Sequence, residues 1–310
     1  MVRPTHAFVD LERLVWNYHV IRRHLSSSRA NTPPRIISVI KANAYGHGAV
    51  EIARALEAPD GSFGQSILAC ADIEEGIQLR QAGIRAPVLV FGALSVSDLE
   101  GLFKYDLTPT VSSPAAAHRL RLAVRSRGCK LRVHVKVDTG MNRFGFRYDN
   151  IQQTLPEIIQ DEQLLIAGVY THFATAENMN HPLFDHQCAR FEIVRSVVRK
   201  LGLRDTIFHA ANSAAMLRDQ RTWYDAVRPG LLLYGVVPPP LKSLLPVKPV
   251  MSLRSRVVAV KGMRTGESTG YGANFVAARP MRVAVIPAGY ADGLDLRLAG
   301  KAAVLVRGQR

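Results

Sequence analysis

RIISVIK, residues 35–41, runs straight into ANAYGHG, residues 42–48. An apolar run of strand length closes on Lys41, and a Gly46-His47-Gly48 turn then leads into a stretch of helical character. The same unit recurs along the chain: SILACA (66–71), PVLVFG (87–92), DLTPTV (106–111), LRVHVKVDT (131–139), LIAGVYTHF (165–173), TIFHAAN (206–212) and AVRPGLLLYG (226–235). Alternating strands and helices predict a parallel sheet, and eight such units predict a closed (β/α)8 TIM barrel with its chemistry at the carboxyl ends of the strands. An open doubly wound sheet is the alternative, but no Gly-rich dinucleotide fingerprint follows the first strand. Helix boundaries agree with the repeat. Ser113-Pro114 reads as an N-cap followed by proline at the first helical position, with Gly128 as the stop. Phe191, Val194, Val198 and Leu201 recur at helical spacing before Gly202, and Leu11, Leu14, Val15, Tyr18 and Leu25 form one stripe after Asp10.

Beyond the barrel the texture changes. PPPLKSLLPVKP (238–249) is a proline-rich linker, and MSLRSRVVAVKGMRTGES (251–268), MRVAVIPAGY (281–290) and KAAVLVRGQR (301–310) are short alternating segments between Gly-containing turns. These predict antiparallel β structure. The expected division is therefore a barrel over residues 1–240 and a C-terminal β domain over 241–310. A strand ending at VLVRGQR would leave an unpaired edge, so the expectation is a β domain cut short.

Forty Lys and Arg against 25 Asp and Glu give a formal charge of +15, which raises nucleic acid or an anionic membrane as a partner. Residues 246–310 hold 11 basic and 3 acidic side chains, yet no run of adjacent basic residues with interleaved aromatics occurs. Neither partner is expected. Three scattered cysteines, Cys70, Cys129 and Cys188, argue against a disulfide framework and for a reducing compartment. The N-terminus lacks a signal-peptide core, and GLLLYGVV (230–237) falls well short of the ~20 residues that span a bilayer. A soluble cytoplasmic protein is expected.

Several strand ends carry chemistry. A partly desolvated lysine beside other cations has a lowered pKa and can condense with an aldehyde, which makes Lys41 a candidate; a solvated lysine closing a strand is the plain alternative. The turn after it has the arrangement that exposes backbone donors to an anion. In VHVKVDTGMNRFGF (133–146), strand alternation puts His134, Lys136 and Asp138 on one face of a buried strand, where polar groups need partners or a function. Arg143 in the following loop can clamp a carboxylate. His172 in THFATAE, Asn212-Ser213 in HAANSAA and Arg228 in VRPGLLLYG each have a plain explanation: a satisfied core histidine, a helix cap at Ser213, an ion pair. Together with Lys41, Lys136 and Arg143, however, they all fall at or just past carboxyl ends of the expected strands and so converge on one mouth. Tyr271 in STGYGANF and Tyr290 in PAGYADG sit in Gly-flanked turns.

With these segments in hand the chain resembles the alanine racemase family. The resemblance rests on VIKANAYGHG, HVKVDTGMNRFGF, THFATAE, ANSAA, VRPGLLLYG, TGYGANF and AGYADG, in family order along essentially the whole chain. It implies pyridoxal 5'-phosphate as cofactor, held covalently by Lys41, with Tyr45, His172, Asn212, Ser213, Arg228, Gly230 and Leu231 around it and Arg228 at the pyridine nitrogen. It further implies interconversion of L- and D-alanine by two bases, Lys41 for D-alanine and Tyr271, supplied by the partner subunit of a homodimer, for L-alanine. D-Alanine would then supply peptidoglycan. Arg143 would bind the substrate carboxylate, Tyr290 would line the entry, and Lys136 matches a lysine that some members carry as a carbamate. Family members continue well past residue 310. A serine or broader-specificity racemase is a competing reading. Others are a non-catalytic cofactor-binding barrel, a basic-amino-acid decarboxylase and, outside enzymes, a basic nucleic-acid-binding protein.

Overall fold

A computed structural model of the chain describes residues 4–27, 32–57, 66–92, 99–159, 162–241 and 245–310. All eight expected segments form strands: β1 (Arg35–Val39), β2 (Ile67–Cys70), β3 (Val88–Val90), β4 (Thr108–Val111), β5 (Leu131–Asp138), β6 (Leu164–Tyr170), β7 (Ile207–Asn212) and β8 (Ala226–Arg228). Each pairs in parallel with the next, and β8 returns to β1 through Ala226–Arg35 and Val227–Ile36, which closes the barrel. The last strand is shorter than its apolar run suggests. Pro229 has no N–H to give to a ladder, and Leu231–Tyr234 winds into a 3-10 turn instead of extending β8.

The helices start and stop where their end residues dictate. Asp10, Asp72 and Ser113 accept the backbone N–H groups of Arg13, Glu75 and Ala116, satisfying donors that a first turn leaves orphaned. Gly128, at φ 61°, closes the helix Pro114–Arg127, and Gly202, at φ 82°, follows the helix Leu183–Lys200.

Alternation along the strands fills the barrel unevenly. Ile37, Ala69, Leu89 and Ala226, from β1, β2, β3 and β8, pack as one apolar cluster. From β5 to β8 the inward positions are polar: His134, Tyr170, His209 and Arg228, all buried. Buried polar groups must be mutually satisfied, and the way these four are satisfied builds the floor of the site.

Asp10–Val250 forms one compact unit. The second comprises the N-terminal residues up to Val9 together with Met251–Arg310. His6–Val9 pairs antiparallel with Met251–Arg254, so the first residues belong with the C-terminal β structure and not with the barrel, and the division falls ten residues beyond the expected 240. Ala259–Met263 pairs with Met281–Val285, and Ser268–Thr269 with Phe275–Val276. KAAVLVRGQR forms no strand, only a bridge between Val306 and Gln309. Residues 242–244 of the proline-rich linker lie outside the described residues. No described helix is long and apolar enough to cross a membrane.

Candidate active site

A cavity of about 420 Å³ opens at the carboxyl ends of the barrel strands. Lys41, Tyr45, Lys136, Arg143, His172, Asn212, Ser213, Arg228, Gly230 and Leu231 all line it, so these barrel residues meet at one mouth, whereas His134 and Asp138 of the polar strand face stay out of its wall. Val39, Ala71, Phe91, Phe144, Tyr170 and Glu177 complete much of the wall.

Lys41 stands where β1 ends, and the chain beyond it turns left-handed. Ala42, Asn43, Ala44 and Tyr45 have φ of 53°, 51°, 56° and 53°. Four consecutive non-glycine residues in this region are strained, because each Cβ crowds a carbonyl. External bonds hold the turn. Asn43 N–H donates to Glu75 Oε1 at 3.1 Å, Ala71 N–H donates to Glu75 Oε2 at 2.7 Å, and Asn43 Oδ1 accepts Ala49 N–H at 2.8 Å. One carboxylate thus ties the turn after β1 to the end of β2.

The Gly46-His47-Gly48 segment does not serve as an anion cradle. Its N–H groups donate within the turn, to Ala42 O, Ala44 O and Asn43 O. The cradle lies across the cavity. Asn212, not Ser213, is the cap of the helix Ser213–Arg218, its Oδ1 accepting Ala215 N–H at 2.9 Å. Ser213 Oγ instead accepts Gly230 N–H at 3.0 Å and Leu232 N–H at 3.2 Å, which leaves its own hydroxyl hydrogen to be donated. A Cβ on Gly230 would sit 2.5 Å from Tyr45 Oη, so only glycine lets the β8 end approach that phenol. Tyr45, Ser213 and Gly230, the glycine admitting the phenol, together ring a polar corner of the cavity that fits a phosphate group.

Arg228, 3% exposed, forms the floor. Its Nη2 donates to Thr171 O at 2.6 Å and Ala210 O at 2.9 Å and lies 3.3 Å from His172 Nδ1, while Nη1 donates to His209 Nδ1 at 2.9 Å. These partners are all neutral. Burial lowers the guanidinium to about 10, and the same burial, reinforced by Arg228, Lys136 and Arg143, holds His172 well below the usual imidazole range. Lys136 is lowered to about 8, first by burial and then by Arg143 and Arg228. Its ammonium stands 5.8 Å from the centre of the Tyr170 ring, on which Arg228 also rests at 5.1 Å.

Residues 9–238 match the family model of the alanine racemase N-terminal domain, and residues 250–310 that of the alanine racemase C-terminal domain. The chain belongs to the alanine racemase family. The alanine racemase of Carboxydothermus hydrogenoformans is 39% identical, over all of this chain and 82% of that protein. Among solved structures, the alanine racemase of a D-cycloserine-producing Streptomyces lavendulae superposes with a TM-score of 0.88 at 31% identity, over 100% of this chain and 80% of that one. The alanine racemase of Bartonella henselae, solved with covalently bound pyridoxal phosphate, superposes with a TM-score of 0.80 at 27% identity, over 96% of this chain and 79% of that one. Alanine racemases are isomerases dependent on pyridoxal phosphate.

Within this alanine racemase fold the two tyrosines occupy the C-terminal unit. Tyr271 opens a 3-10 turn with 97% of its surface exposed, and Tyr290 opens another at 70%. Sequence reasoning missed Tyr170 and His209. Both are inward polar residues on strands that are otherwise apolar, the same signal that exposed His134 and Lys136.

Proposed function

We propose that this chain interconverts L- and D-alanine by exchanging the Cα proton between two bases on opposite faces of the substrate. The supporting observation is the single cavity that holds Lys41, a buried Arg228 and the polar corner formed by Tyr45, Ser213 and Gly230. That set fits pyridoxal 5'-phosphate, which Lys41 would hold covalently until the substrate amine displaced it, freeing the lysine amine; bound to the substrate, the group would supply the electron sink that acidifies the Cα–H bond. Tyr45, Ser213, Gly230 and Leu231 would hold its phosphate, with Asn212 shaping the wall beside them, and Arg228 would face its pyridine nitrogen. A guanidinium does not yield its proton, so Arg228 would donate a hydrogen bond there without protonating the ring.

Arg143 binds the substrate carboxylate. Lys41 Nζ moves the proton on the face that D-alanine presents, and Tyr271 Oη, supplied by the partner subunit of a homodimer, moves it on the face of L-alanine. A phenol is a weak base near neutral pH, so His172, with Arg228 behind it, stabilises its phenolate. Tyr290 lines the entry. Lys136, lowered to about 8, carries enough free amine to take up CO2: its nitrogen bonds to the carbon and releases a proton, converting a cation beside Arg143 into a carbamate that orients it. The D-alanine formed in the cytoplasm supplies peptidoglycan.

The test is an absorption spectrum of the purified protein before and after borohydride, with alanine incubated in D2O. A near-visible band abolished in Lys41→Ala is expected, as is exchange of deuterium into only one alanine enantiomer in Tyr271→Phe. Turnover that survives Lys41→Ala would refute the reading.

A further inference from the structure

The hydrogen bonds of Arg228 continue past His209 to a residue that takes no part in the cavity wall. His134 Nδ1 lies 2.8 Å from His209 Nε2, both residues buried in the barrel, with His134 also lining a second cavity. The direction of this bond follows from its neighbour. Arg228 can only donate, so His209 Nδ1, 2.9 Å from Nη1, must be an acceptor with no proton of its own. His209 therefore carries its hydrogen on Nε2 and donates it to His134 Nδ1. The chain runs one way, Arg228 to His209 to His134, and both imidazoles are neutral; burial favours the same state, holding His134 down at about 3 and His209 well below the ordinary range.

The seat of His134 is built into the backbone. A Cβ on Gly168 of β6 would stand 2.5 Å from His134 Nδ1, and the β5–β6 register shifts between Val133 and His134. Tyr170 lies flat on His209, with ring centres 4.7 Å apart and planes 10° apart, so His209 has no freedom to tilt toward another acceptor. Were His209 to carry its proton on Nδ1 instead, an N–H would face the Arg228 N–H and repel it.

We propose that His134 is a positioning residue for Arg228: by accepting the Nε2 proton of His209 it holds that ring, together with Arg228 on its other side, in one tautomer, and so keeps the lone pair that orients the guanidinium at the cavity floor. The inference rests on the proposed racemisation only for its kinetic consequence. The tautomer itself is independent of turnover.

The experiment labels histidine with 15N and records two-bond 1H–15N spectra of the purified wild type, His134→Asn and His134→Leu. Asn places Oδ1 where Nδ1 stands and keeps the acceptor, whereas Leu removes it. His209 is expected in the Nε2–H form in the wild type and in His134→Asn, with the Nδ1–H form appearing in His134→Leu. Turnover of alanine should fall about tenfold in His134→Leu, the scale of one buried hydrogen bond left unmade, with KM within about twofold, and should recover in His134→Asn. A wild-type His209 protonated on Nδ1, or an unchanged tautomer in His134→Leu, overturns the proposal. Should the Leu variant fail to fold, an Nδ1–H form in either the wild type or His134→Asn overturns it. A wild type that shows the expected tautomer but does not racemise alanine would sink the functional reading and leave the assignment of His134 standing.

Discussion

The left-handed turn after Lys41 makes an unusual forecast: removing a methyl group from it should stabilise the fold. Ala42 is exposed, with φ and ψ both 53°, so its Cβ packs against nothing that would be lost. An L-residue in this region costs about 1–2 kcal/mol that glycine does not. Glycine costs roughly 0.4–1 kcal/mol in unfolded-chain entropy. The difference leaves Ala42→Gly about 0.5–1 kcal/mol more stable, since the Gly46 N–H to Ala42 O bond is made by backbone and survives. Ala123→Gly, in the right-handed helix Pro114–Arg127, is the control and should lose about 0.5–1 kcal/mol. Urea unfolding at constant m value reads both, and the midpoints should move in opposite directions. Turnover of alanine should fall several-fold in Ala42→Gly, because the strain that confines Lys41 is what glycine releases. If both substitutions lower the midpoint alike, the turn holds no strain and the reasoning fails.

Acid should weaken the barrel before carboxylates matter. His134, His172 and His209 are all held below the ordinary value of 6.5, so as pH falls below that value the unfolded chain binds protons that the folded chain refuses, and stability falls with them. Each histidine is expected to cost about 2 kcal/mol between pH 7 and pH 5, and His134→Asn should remove one such share of the dependence; urea midpoints that stay level over this range would contradict it. Gln187, fully buried, donates to Thr139 Oγ1 and His172 O and accepts Ala174 N–H, tying the ends of β5 and β6 together under the site. Gln187→Leu leaves Ala174 N–H and His172 O unpaired, while Thr139 Oγ1 keeps its bond to Thr171 Oγ1, and should cost about 2 kcal/mol in the same assay, a loss under ~0.5 kcal/mol being the contrary result.

Most of the barrel was legible because its strands are apolar runs of strand length, and burial on both faces leaves such runs little else to be. β8 was overextended because GLLLY reads as apolar strand while the decisive residue is Pro229, whose missing donor stops the ladder. KAAVLVRGQR alternates correctly but finds no partner strand, and alternation without a partner does not make a sheet. At the site, strand-end positions were readable one by one, since a polar residue closing an apolar run is visible in the sequence. The left-handed conformation of residues 42–45 was not, because Ala, Asn, Ala and Tyr do not announce it; it is imposed by Glu75, some thirty residues away. Gly46 and Gly48 drew attention as an anion loop for the same reason, while Gly230, the glycine that admits the Tyr45 hydroxyl, was legible only through the family resemblance.

The charge on the cavity wall narrows what the site can accept. Lys41, Lys136, Arg143 and Arg228 line it, and among the described lining residues Glu177 is the one acid. Cations this close to one another and partly out of water are costly unless compensated, and the site shows two responses: His172 stays neutral and Lys136 drops to about 8. A neutral occupant would leave the repulsion in place. An occupant with an anion at each end, a phosphate against Ser213 and Gly230 and a carboxylate against Arg143, would relieve it at both. Conversion of Lys136 to a carbamate, as proposed, would reverse a further charge on the wall. Arg228 then remains the only cation directed at the neutral centre of the occupant, and its backing by His209 and His134 keeps it there as a hydrogen-bond donor whose proton is not surrendered.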